Sequence, residues 1–162
     1  MAAALGLIAA PALAAPGPRV AIASIDQLPK PLPLPYEEQA DAKARVAAAK
    51  ARALRAHKTL LIDLGGNWCL DCRVLAGIME LPQVHAFVAR HYEVVTVDVG
   101  RFDKNGEIAA HYGLNGRLAG VPSVLVVDPR TDRLLNPGRT AALSDARSMS
   151  PQALADWLAQ WV

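Results

Sequence analysis

The only two thiols in this chain stand three positions apart, in Trp68-Cys69-Leu70-Asp71-Cys72. On a helix that spacing puts both sulfurs on one face, about one turn apart. The motif follows an apolar run and the pair Gly65-Gly66, so Cys69 falls where a helix should begin. Unpaired backbone amides and the helix dipole favour an anion there. They draw the Cys69 thiol toward its thiolate and make it the attacking nucleophile. Cys72, one turn in, stays a thiol until it resolves a mixed disulfide formed on Cys69, so the pair is a two-electron switch. A bridge across so short a loop restricts the unfolded chain little, which argues against a structural staple. The same spacing also serves zinc and copper sites. The rival reading is therefore a Cu(I)-binding module held by the two thiolates, although no third soft ligand stands near them in sequence.

Two further positions bear on this chemistry. Asp63 lies among Leu61, Ile62 and Leu64, six residues before Cys69. Burial would raise its pKa toward a general acid/base role that serves Cys72; the plainer alternative is a strand-end carboxylate facing water. Val121-Pro122 precedes an apolar strand. An X-Pro bond is trans by default, although a cis proline would fit at Pro122; the resemblance described below is what implies the cis form. Trp68 either packs or contributes to a substrate surface, whereas Trp157 and Trp161 read as packing residues. His57, His85, His91 and His111 share no ligand spacing with the cysteines, so no metal site is expected among them.

The elements needed to position these residues can be traced along the chain. Thr59 to Leu64 is a short apolar run ended by glycines, the pattern of a strand buried on both faces. Val74, Leu75, Ile78 and Met79 recur at helical spacing before Pro82, and a second short helix follows from Gln83 to His91. Tyr92 to Val99 is β-branched and alternating, a second strand. Lys104 to Tyr112 suits a short helix, and a Gly/Asn-rich loop leads to Val121. Ser123 to Val127 forms a third strand and Arg133 to Leu135 a fourth, across a turn at Asp128 to Asp132. Ser150 as N-cap and Pro151 at the first helical position open a last helix, with Leu154, Trp157, Leu158 and Trp161 on one face. Upstream, Glu37 to His57 is rich in helix formers with a shallow apolar stripe (Val46, Ala53, Leu54), as expected of a surface helix.

Before these elements the chain changes character. Residues 1–15 contain no charged side chain and end in Ala12-Leu13-Ala14, the pattern of a secretory signal peptide without a basic n-region. The run is too short for a spanning helix and Pro11 interrupts it. Residues 16–35 hold six prolines and read as an extended linker. The remaining stretch, 36–162, is one domain of ordinary size. Across all 162 residues, 52% are hydrophobic and 20% charged, which excludes a wholly disordered chain. The net charge of +2, with basic residues scattered, makes nucleic acid a poor partner.

The Trp-Cys-x-x-Cys motif at Trp68 to Cys72, the buried-strand Asp63 and Pro122 together resemble the thioredoxin-like superfamily, over roughly residues 37–162. The resemblance is strongest to exported bacterial members, similar to the C-terminal domain of the membrane thiol reductant transporter. It implies an α/β thioredoxin-like fold, a central mixed β-sheet flanked by helices, with an N-terminal extension. It also implies a monomeric periplasmic thiol-disulfide oxidoreductase without a cofactor. Catalysis would rest on Cys69, Cys72 and Asp63, and substrate binding on Trp68, Val121 and Pro122. Disulfide-containing exported proteins would be the substrates, and a membrane thiol reductant the electron donor. A binding module that keeps the fold without catalysis is the other alternative. The chain departs from thioredoxins in Leu70-Asp71 between the cysteines, in Gly65 where an aromatic usually stands, and in a longer loop from Asp98 to Pro122, expected to reshape the rim. Asp71 is expected to oppose the thiolate and Arg73 to favour it at similar range.

Overall fold

The computed structural model describes residues 16–162; the expected signal segment, 1–15, lies outside the described residues. The elements run α1 (Ala42–Ala56), β1 (Thr59–Gly65), α2 (Leu70–Glu80), α3 (Pro82–His91), β2 (Tyr92–Asp98), α4 (Gly106–His111), β3 (Ser123–Asp128), β4 (Arg133–Leu134) and α5 (Pro151–Ala159). Single turns of 3-10 helix lie at Ile25–Gln27 and Ala146–Ser148.

The strands form one sheet in the order β2-β1-β3-β4. β1 runs parallel to β2 and antiparallel to β3, and β3 is antiparallel to β4. β1 is central and covered on both faces, which is why its sequence is almost continuously apolar. Leu61, Val124 and Val126 pack with α2, α3 and α5 on one face. Leu60, Ile62, Leu64, Val97, Leu125 and Val127 pack with α1 and α4 on the other.

Local chemistry explains most boundaries. α1 starts five residues later than its composition suggests because the Asp41 carboxylate caps it, accepting from Ala44 N at 3.0 Å. With no glycine available, His57 closes the helix in the left-handed region at φ 53°. Ala49 and Ala53 of α1 are fully buried, so small residues let this helix sit close on β2 and β1. α5 opens as its sequence requires: Ser150 Oγ accepts from Ala153 N at 3.1 Å, and Leu154, Trp157 and Leu158 are buried.

The proline-rich segment differs from its expectation. It is extended, apart from the turn at Ile25–Gln27, but it is no free linker. Leu28 and Leu32 are buried in the core, with Val20, Ile22 and Ile25 packed against it. Prolines forbid helix and central strand, yet they do not prevent apolar side chains between them from being buried. The segment is a strap. Arg73 donates to the Pro33 carbonyl at 3.1 Å and the Leu32 carbonyl at 3.0 Å, and Thr96 Oγ1 to the Pro35 carbonyl at 2.9 Å. At its end Tyr36 is buried, its backbone amide donating to Asn67 Oδ1 at 3.0 Å and its carbonyl accepting from Asn67 Nδ2 at 2.8 Å.

Candidate active site

The site forms where β1 hands over to α2. Gly66 turns the chain under the Trp68 indole, which lies 2.5 Å from where a Gly66 Cβ would stand, so any larger residue would displace the ring. Cys69 is the N-cap of α2. Its Sγ accepts from Cys72 N at 3.1 Å, the position an oxygen takes in an ordinary cap. Cys69 and Cys72 are joined as a disulfide, with Cα atoms 5.3 Å apart. Cys72 is fully buried and Cys69 is 5% exposed. Cys69 is thus the outer sulfur, although less open than a helix-start nucleophile is expected to be. Its Sγ lies 3.5 Å from the Val121 carbonyl oxygen. The Val121–Pro122 peptide bond is cis, and both residues are buried.

On β1, two residues before Gly65, lies Asp63, 2% exposed and paired in register with Thr96 of β2 and Val124 of β3. Burial pushes its pKa up to about 7, against the opposing pull of a hydrogen bond donated by Tyr36 Oη at 2.8 Å. Tyr36 carries no signal in the sequence, since it ends a proline run and joins the site only once the strap docks. Burial, and the neighbouring Asp63 carboxyl, push its phenol pKa far up. Gly65 makes room for this arrangement: a Cβ there would collide with the Tyr36 hydroxyl and stand 2.7 Å from Cys72 Sγ.

Asp71 and Arg73 are placed differently from expectation. Asp71 is turned away into a bidentate pair with Arg147, Nη2 to Oδ2 at 2.6 Å and Nε to Oδ1 at 3.1 Å, and it also accepts from Arg147 N at 2.9 Å. Although burial opposes them, these bonds hold its carboxyl below the ordinary range. Arg73 is engaged with the strap. Their charges are spent on structure, so neither directs its hydrogen bonds at the thiols.

The rim is built by the loop after β2. Trp68, 42% exposed, donates from Nε1 to the Gly100 carbonyl at 2.8 Å. Phe102 packs against it with ring centroids 6.0 Å apart, and Phe102 is held in the left-handed region at φ 68°, a conformation a bulky residue rarely adopts. Arg101 lies over the Trp68 ring at 4.5 Å and Arg117 over the Phe102 ring at 4.1 Å. Among the described residues no group of three or more His, Cys, Asp or Glu side chains is placed to hold a metal ion.

A dithiol pair at the head of a helix, set on a mixed sheet with a buried aspartate below and an X-Pro bond beside it, is the architecture of thioredoxin-fold proteins. The thioredoxin-like family model matches residues 41–129, and the chain belongs to that family. A thioredoxin from Alicyclobacillus acidocaldarius subsp. acidocaldarius is 30% identical over 63 residues, which are 39% of this chain and 55% of that protein. The chain thus matches about half of that relative's length. The crystal structure of a disulphide isomerase from Xylella fastidiosa Temecula1 is similar with a TM-score of 0.71 and 39% identity, over 80% of this chain and 97% of that one.

Proposed function

We propose that this protein is a thiol-disulfide oxidoreductase that reduces disulfides of exported proteins. The observation that carries the reading is Cys69 Sγ, capping α2 by accepting from Cys72 N and lying 3.5 Å from the Val121 carbonyl. An amide aimed at sulfur stabilises a thiolate more than a thiol, because hydrogen bonds to charged acceptors are stronger. Cys69 attacks the substrate disulfide, one substrate sulfur leaves, and a mixed disulfide remains on Cys69. Cys72 then attacks Cys69 Sγ, expelling the second substrate thiol and closing the disulfide. Asp63 takes the proton that Cys72 gives up. The backbone of Val121 offers an extended substrate segment a hydrogen-bonding edge, and Trp68 supplies an apolar contact beside it. The likeness to a disulphide isomerase supports exchange chemistry on protein substrates. Electrons come from a membrane thiol reductant, the protein acting as a periplasmic monomer.

The test is the reduction potential of the Cys69–Cys72 pair, measured against glutathione buffers, together with turnover of insulin disulfides driven by dithiothreitol. A potential near the thioredoxin end of the range, about −270 mV, with insulin reduction is expected. A potential near the strongly oxidising end, about −120 mV, would make the protein an oxidant and overturn the reductase reading.

A further inference from the structure

The strap delivers a hydroxyl to the place where the exchange must move a proton. Tyr36 is 3% exposed and its Oη donates to Asp63 Oδ1 at 2.8 Å. A Cβ built on Gly65 would meet both this hydroxyl and Cys72 Sγ, so oxygen and sulfur converge on the same small space above Gly65. Among the described residues, with the cysteines joined, no hydrogen bond joins Cys72 Sγ to Asp63 or to the Tyr36 hydroxyl, which donates to Asp63; the Tyr36–Cys72 contact is the one that the reduced thiol must make. Tyr36 is held in place by its two bonds to Asn67, and the chain just before it by Thr96 and Arg73. On its other side Asp63 borders a cleft of about 240 Å³, also lined by Glu80, His85 and Thr96. Glu80 and His85 are exposed.

From this geometry we infer that Tyr36 is a proton-relay residue, its hydroxyl passing the proton between Cys72 Sγ and Asp63 Oδ1, with the Glu80–His85 cleft as the path from Asp63 to solvent. The inference rests on the exchange chemistry proposed above. In the resolving step the Cys72 proton moves to the Tyr36 oxygen as the Tyr36 proton moves to Asp63. Cys72 Sγ bonds to Cys69 Sγ, and the bond from Cys69 to the substrate sulfur breaks. The two electrons of that broken bond leave with the substrate sulfur, which takes a proton from solvent. Asp63 releases its proton through the cleft, so each dithiol oxidised yields one reduced substrate disulfide and no net change in protons. Tyr36 ends the step as it began, neutral and donating to Asp63. A high phenol pKa suits this role, because the hydroxyl then shuttles a proton without being left as phenolate. A purely structural hydroxyl would satisfy the buried carboxyl and have no effect on rate beyond stability.

Tyr36→Phe in the full chain keeps the ring and removes the relay. A glutathione adduct is formed on Cys69, and release of glutathione is followed by stopped flow, while alkylation of Cys69 in the reduced protein reports the attacking thiolate. Release is expected to slow by about 10- to 100-fold, the scale of a general acid/base contribution, with Cys69 alkylation unchanged. The double variant Tyr36→Phe/Asp63→Asn should be no slower than the slower single one, because two groups in series are not additive. Release at the wild-type rate, or losses that multiply in the double variant, would overturn the relay. If Tyr36→Phe fails to fold, difluorotyrosine incorporated at position 36 makes the test, since it keeps the shape and lowers the phenol pKa; a release rate unmoved by fluorination overturns the relay equally. Failure of the underlying reading looks different: wild-type protein would then not exchange with glutathione disulfide or insulin at all.

Discussion

Asp63→Asn tests the buried carboxyl through stability and rate together. Asp63 is 2% exposed, and burial raises its pKa from 3.8 to about 7 despite the Tyr36 hydrogen bond. Its folded-state pKa lies above the unfolded one, so the folded protein binds the extra proton between those values. The stability that this protonation brings is fully present below about pH 4 and is lost as pH rises through 7. At about 1.36 kcal/mol per pH unit the loss amounts to roughly 4 kcal/mol by pH 8, a large part of a stability of about 5–15 kcal/mol. Tyr36 Oη, and Glu80 and His85 across the cleft, are the ionisable groups facing Asp63. Asparagine keeps the shape, accepts the Tyr36 hydroxyl through Oδ1 and cannot ionise. Its NH2 group needs an acceptor of its own, which trims the gain. The variant should match wild type near pH 4 and exceed it at pH 8 by about 2–4 kcal/mol, while exchange slows by about 10- to 100-fold. Urea unfolding of the oxidised protein at pH 4, 6 and 8 reads the first, and insulin turnover the second. Parallel stability curves for the two proteins across that pH range, with the variant the weaker throughout, would refute the buried-acid argument.

Four other substitutions have definite outcomes. Cys72→Ser should accumulate mixed disulfides with substrates, visible as adducts on non-reducing gels, whereas Cys69→Ser should trap none; the reverse pattern exchanges the two roles. Arg147→Ala leaves the Asp71 carboxylate, its side chain 8% exposed, without its guanidinium. Because Arg147 is itself half exposed the loss of stability should be small, smaller still at low pH once Asp71 protonates, and the exchange rate should not change. Gly65→Ala drives a methyl between the Tyr36 hydroxyl and Cys72 Sγ; it should cost about 1–3 kcal/mol in thermal unfolding and slow glutathione release from Cys69.

What the sequence revealed follows the range over which each signal acts. β1, α2 and the Cys69–Cys72 pair were legible because their determinants are local: an apolar run, a glycine turn and the spacing of two side chains on one helix face. Asp63 was legible for the same reason, a charged residue in a strand otherwise apolar. The roles of Asp71 and Arg73 are not legible in this way, because neighbours in sequence are not neighbours in space. Asp71 finds Arg147, 76 residues away, and Arg73 finds the strap carbonyls, 40 and 41 residues away. On a helix start, adjacent positions point in different directions, so nearness to Cys69 or Cys72 along the chain says little about which charge the sulfur meets.

The strap shows the same limit at a larger scale. Proline spacing announces extended backbone, but whether that backbone docks depends on partners spread over Asn67, Arg73 and Thr96, none of which is marked in sequence. Gly65 was visible only as a departure from thioredoxins, an aromatic lost from the strand end. In the structure the departure is compensated, because the Tyr36 hydroxyl fills the space that Gly65 leaves next to Cys72. A small residue on β1 and a phenol on the strap are therefore one feature, and each makes physical sense only in the presence of the other. That coupling also assigns the N-terminal segment a place in the site: shortening the chain to begin at α1 would remove the hydrogen-bond donor of a buried carboxyl and the phenol that stands beside Cys72.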